Sequence, residues 1–77
     1  MLSERKQWDE AEVVLTQAIR REPKNAASYL QLGVVYAAKR KNKLATENYQ
    51  KFLELAPRSD PDRDRAQAAI RELKKSR

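Results

Sequence analysis

Apolar residues recur along this chain at helical spacing, in four blocks set apart by prolines and polar breaks. In the first block Trp8, Ala11, Leu15, Ala18 and Ile19 fall three and four residues apart and form one stripe, which Val14 widens. Ser3 stands where an N-cap belongs, and Pro23 stops the pattern after about Glu22. Asn25 reads as the N-cap of a second helix, from about Ala26 to Lys39. There Tyr29, Leu32, Val35 and Tyr36 share one face, and Leu30, Val34, Ala37 and Ala38 another. A helix apolar over more than one stripe predicts neighbours on at least two sides.

"KRKN" is the next break, and Asn42 reads as the cap of a third helix to about Ala56. Its expected buried side is Leu44, Ala45, Tyr49, Phe52, Leu53 and Leu55, and Pro57 follows its end. The last block opens with a strong helix start. Asp60 can cap, Pro61 suits the first helical position, and Asp62 and Asp64 face the positive end of the helix dipole. Lys74, Lys75 and Arg77 complement the other end. Its apolar set, Ala66, Ala69, Ile70 and Leu73, is thin and suits a helix with one buried face.

The pattern repeats. Pro23 and Pro57 are 34 residues apart, and the same offset pairs Ala11 with Ala45, Leu15 with Tyr49, Ala18 with Phe52 and Ile19 with Leu53. The helix before Pro23 and the helix before Pro57 therefore read as copies of one unit. The lone glycine, Gly33, sits inside the second helix, where it costs about 0.5–1 kcal/mol relative to alanine. A close crossing with the following helix, near Ala45 and Tyr49, would explain it.

At these positions the chain resembles the tetratricopeptide repeat family, whose repeat of about 34 residues runs aromatic, Leu-Gly, Tyr, Ala, aromatic, Pro. Residues 26–59 supply Tyr29, Leu32-Gly33, Tyr36, Ala45, Tyr49 and Pro57 at that spacing. Phe52 departs from the family's usual small residue, which implies a looser or wider contact there. Residues 3–25 match the second helix of a preceding repeat whose first helix is missing, and 26–59 a complete repeat. From residue 60 to 77 the register continues as Arg63, Ala66, Gln67 and Ile70, without the aromatic or the glycine. That implies a capping helix, which repeat arrays need for solubility. The implied fold is all-α: one domain over 1–77, with antiparallel helix hairpins stacked into a right-handed superhelix and first helices lining a concave face.

Length and composition narrow the chemistry. With 77 residues, one small domain is the ceiling. The chain has no cysteine, hence no disulfide framework, and no histidine, the commonest general base and metal ligand. No Gly-rich phosphate loop and no activated nucleophile stands out. Glu10, Glu12, Glu47 and Glu54 lie where exposed helix carboxylates go. The carboxylates of "SDPD" at 59–62 are too few for a divalent cation and read as a helix cap. No enzyme activity, cofactor or metal is expected. No run is apolar enough to span a membrane, and the start lacks the apolar core of a secretory signal.

Three surfaces remain. The resemblance places ligand contacts of the concave face at Ala27, Leu30, Val34, Ala37 and Ala38. These lack the Lys, Asn and Arg with which chaperone-tail binders of the family hold a carboxylate. They imply an apolar groove for a helix or apolar peptide, unless the neighbouring helices cover them. Trp8, Val13, Val14 and Ile19 would pack on the absent first helix, and their exposure would favour a homodimer. The net charge of +6 concentrates over residues 24–59, with seven Lys or Arg against two Asp or Glu. Lys39, Arg40, Lys41 and Lys43 form a cluster that can meet an acidic protein, nucleic acid or anionic membrane. No aromatic is interleaved to stack bases, so a solvated loop or an acidic protein is preferred to nucleic acid.

Overall fold

Helix-forming blocks, each ended by a proline or a polar break, become four helices. The computed structural model describes the backbone of residues 2–75 and the side chains of residues 6–75. In order they are α1 (Leu2–Arg21), α2 (Ala26–Ala38), α3 (Asn42–Leu55) and α4 (Asp62–Lys75), with no strand among the described residues. Each packs on its neighbour in sequence: α1 on α2, α2 on α3, α3 on α4. Short loops favour this order, because connections of four, three and six residues return the chain beside the helix it left.

The ends follow from local chemistry. The Asn25 side chain accepts the Ala27 amide at 3.1 Å and starts α2. Asp60 does the same for the Asp62 amide at 2.9 Å. Two expected caps differ. The helix α1 already runs from Leu2, so Ser3 lies within it, and its side chain is outside the described residues. Asn42 is the first residue of α3; Lys41 holds the cap position without a side-chain cap bond. Arg77 also lies outside the described residues.

The C-terminus of α2 closes through a left-handed residue. The amide of Arg40 bonds to the Ala37 carbonyl and that of Lys41 to the Tyr36 carbonyl, with Arg40 at φ 64°. This is the Schellman arrangement, and its left-handed position is one glycine usually fills. The chain's glycine is elsewhere. A Cβ on Gly33 would lie 2.9 Å from two atoms of the Tyr49 ring, so α2 and α3 cross too closely there for a side chain. The expected close crossing is present, and its neighbour is Tyr49.

The core forms around α3. Ala45, Tyr49, Phe52 and Ala56 are buried together with Ala66 and Ile70 of α4. Tyr29, Leu30, Tyr36 and Ala37 of α2 pack against that cluster. Phe52 is 1% exposed and is the largest fully buried side chain, so the looser contact expected at Phe52 is replaced by a filled one. Leu44 is also corrected: it is 40% exposed, because it lies one residue, about 100° of helix, before Ala45. The stripe of α1 does turn inward, with Trp8, Ala11, Leu15, Ala18 and Ile19 all half-buried, but Val14 faces out.

Arg63 occupies the repeat position of Tyr29. The Tyr29 hydroxyl donates to the Pro23 carbonyl at 3.0 Å. The Arg63 guanidinium donates to the carbonyls of Leu53, at 2.7 Å, and Ala56, at 3.1 Å. Both side chains reach back to carbonyls at or just beyond the end of the preceding helix. Arg63 thus satisfies carbonyls that the last turn of α3 leaves without helical partners.

Candidate functional site

The helix α2 carries no charged residue among its 13, in a chain that is 36% charged. Ser28, Leu32, Gly33 and Val35 are buried, and α1 and α3 pack against it. Ala27, Gln31, Val34 and Ala38 are exposed. Their spacing of four, three and four residues places them on one narrow line along the helix. Val34, at 46% exposed, is its bulkiest apolar member. Of the residues anticipated for partner contact, Ala27, Val34 and Ala38 thus share an outward stripe. Leu30 and Ala37 are half-buried and pack against the core cluster instead. Gln31 joins the stripe and was missed, since a polar residue carries no apolar signal; its i+4 relation to Ala27 could have found it.

Beside this stripe lies an open groove of about 280 Å³. Trp8, Ala11 and Leu15 form its α1 wall, and Gln31, Val34 and Val35 its α2 wall. The residues considered for self-association separate in space. Val13 and Val14 are 56% and 63% exposed, whereas Trp8 and Ile19 are half-buried.

The basic cluster also divides. The Lys39 ammonium lies 2.6 Å from a carboxylate oxygen of Asp9 and 2.6 Å from one of Glu12. The Tyr36 hydroxyl donates to the other Glu12 oxygen at 2.9 Å. Bonding to Asp9 and Glu12 pushes the Lys39 ammonium up to about 12. The Lys39 ammonium and the Tyr36 hydroxyl hold the Glu12 carboxyl below its ordinary range. Burial and the bond to Glu12 push the Tyr36 phenol up. Lys39 is thus a fastener between α1 and α2. Glu12, read in sequence as an ordinary exposed carboxylate, is its partner. Arg40, Lys41 and Lys43 remain exposed.

A chain of antiparallel helices packed in sequence order, with one helix free of charge between two neighbours, defines a helical-hairpin repeat protein. The family model described as Tetratricopeptide repeat matches residues 2–73, and the chain belongs to that family. Its members are, in general, non-catalytic protein-interaction modules. No curated protein and no solved structure matches the chain. No helix of the described residues is long and apolar enough to cross a membrane.

Proposed function

We propose that the chain is a non-enzymatic scaffold that binds a helix or an apolar peptide along the exposed line of α2, on the concave side of its repeat. One observation carries this reading: an uncharged helix between two neighbours still presents Ala27, Gln31, Val34 and Ala38 to the outside. In a chain this rich in charge, a solvated stripe without Lys, Arg, Asp or Glu favours burial by a partner. At about 25 cal/mol per Å² of apolar surface, a few hundred Å² supply several kcal/mol before association costs, which fits micromolar binding. In this reading residues 26–59 are the complete repeat, 3–25 the second helix of a partial one, and residues 60–77 the cap.

Substitution at Leu30 would disturb the core as well as any groove, so the test uses Val34. Val34→Glu is expected to abolish capture of partner proteins from a native lysate while the circular dichroism spectrum stays unchanged. Undiminished capture would sink the reading.

Val13 and Val14, adjacent and exposed on α1, support a second reading, in which copies of the chain associate through α1. Light scattering at rising concentration tests it. A strict monomer at high micromolar concentration removes it.

A further inference from the structure

A second cleft, of about 410 Å³, opens where α2 ends, lined by Trp8, Asp9, Ala38, Lys39, Arg40 and Lys41. It shares Trp8 with the apolar groove. Ala38, on its wall, lies one helical turn beyond Val34 on the same exposed line of α2. Groove and cleft therefore adjoin along one path, with Trp8 at the junction. The path is apolar from Leu15 to Trp8, a distance of about 10 Å along α1.

Beyond Trp8 the character changes. Asp9 and Glu12 share the one positive charge of Lys39, so the triad carries one net negative charge, which Lys41 partly offsets through its attraction to Glu12. The side chains of Arg40 and Lys41 make no hydrogen bond or salt bridge to any described residue, and both are exposed. Arg40 also stands at a left-handed position where glycine would cost less. The path is thus apolar for two turns of helix and cationic at one end.

We infer that the occupant of this path is an apolar protein segment with one or two Asp or Glu residues at one end, its acidic end set over Arg40 and Lys41. The inference rests on the groove reading above and adds the chemistry and polarity of the partner. Charge complementarity carries it: the acid fixes which way the segment lies, and the apolar length supplies the area. A nucleic acid fits less well, because two exposed cations make no phosphate track and the apolar walls would stay unused.

Trp8 is the sole tryptophan, so its emission reports occupancy directly. Three tryptophan-free helical peptides of about four turns, built from Ala, Leu and Gln, serve as probes. One carries two Glu at its N-terminus, one carries two Glu at its C-terminus, and one has Gln at both places. One of the acidic peptides is expected to bind roughly three- to tenfold more tightly than the neutral one. The gap should close at high salt, and in the Arg40→Gln, Lys41→Gln double variant, while the neutral peptide keeps its affinity. Val34→Glu should abolish binding of all three. Equal affinities across the three peptides would overturn the acidic-end inference and leave the groove reading standing. Failure of every peptide to bind would overturn both. Trp8 emission that changes with protein concentration alone, together with a dimer mass, would assign the path to a second copy and overturn the inference. So would a single-stranded oligonucleotide that outcompetes the acidic peptide.

Discussion

Ala11 and Ala45 stand 34 residues apart at the same place in a repeated helix, yet Ala45 is fully enclosed and Ala11 half-exposed. The pairs around them repeat the contrast. Tyr49 is 5% exposed and Phe52 1%, while Leu15 and Ala18, their counterparts on α1, are half-buried. The two helices have similar apolar patterns. They differ in company: α3 lies against both α2 and α4, whereas α1 has α2. A helix pattern sets which residues can be buried together, and the number of neighbouring helices sets how far they are buried.

The comparison can be broken most directly at Phe52. Phe52→Ala gives α3 the residue that α1 already has at Ala18, and should cost about 3–5 kcal/mol. Against a total of roughly 4–12 kcal/mol for a domain of this size, that is enough to unfold much of the population. Leu15→Ala on α1 should cost only about 1–2 kcal/mol, because Leu15 is half-buried. Urea melts followed by circular dichroism measure both; equal losses would refute the contrast.

The same substitution at paired positions is a finer probe. Ala45→Leu forces a larger side chain into an enclosed site and should cost about 1–3 kcal/mol. Ala11→Leu, beside an open groove, should stay within about 0.5 kcal/mol. Thermal melts of the two variants should separate clearly.

Gly33 sharpens the α2–α3 side of the contrast. Alanine is favoured over glycine in a helix by about 0.8–1 kcal/mol. A Cβ 2.9 Å from the Tyr49 ring outweighs that, so Gly33→Ala should destabilise by about 1–2 kcal/mol. In a Tyr49→Ala background the sign should reverse, giving a stabilising change. A double-mutant cycle without coupling would show that the ring is not the reason for the glycine.

The two halves should also respond differently to acid. Glu12 has a depressed folded pKa, so its contribution is present above its ordinary value and is lost as pH falls through the depressed one. Lys39 contributes below its ordinary value and loses that contribution as pH rises through about 12. Both tie α1 to α2. The α3 core holds Tyr49, whose phenol is pushed up by burial and stays neutral in acid. On acidification Trp8 emission should therefore change before the helix signal is lost, and Glu12→Gln should remove that early step. A single coincident transition in the native chain would argue against separate release of α1.

A small gain is expected where α2 ends. Arg40→Gly relieves a left-handed side chain and should stabilise by about 0.5–1 kcal/mol, read as a rise in melting temperature. The end of α3 has no such residue, since Ala56 is extended ahead of Pro57. No equivalent gain is expected there.

Much of this was legible in the chain. The four helices follow from the apolar spacing, the Asn25 and Asp60 caps from side chains that accept nearby amides, and the hairpin crossing from one glycine. At the candidate site, Val34, Ala27 and Ala38 were placed by their register in the repeat. Leu30 was placed on the same face, yet the core takes up that side of the helix. Gln31 was passed over because an apolar pattern does not register a polar residue at the same angle. The Lys39 cluster was invisible, because Lys39 and Glu12 are 27 residues apart and nothing in either local pattern marks them as partners.

By itself, the sequence determined which residues share a helical face, where each helix stops, and that one unit recurs after 34 positions. These are properties of backbone geometry and local hydrogen bonding, which act over a few residues. Only the tertiary structure decided that the contact at Phe52 is filled and not loose, that Leu44 and Val14 face water, and that one of the four clustered basic residues is tied down. Those outcomes depend on how many helices surround a face and on which long side chains reach across it. Both are set when the helices pack.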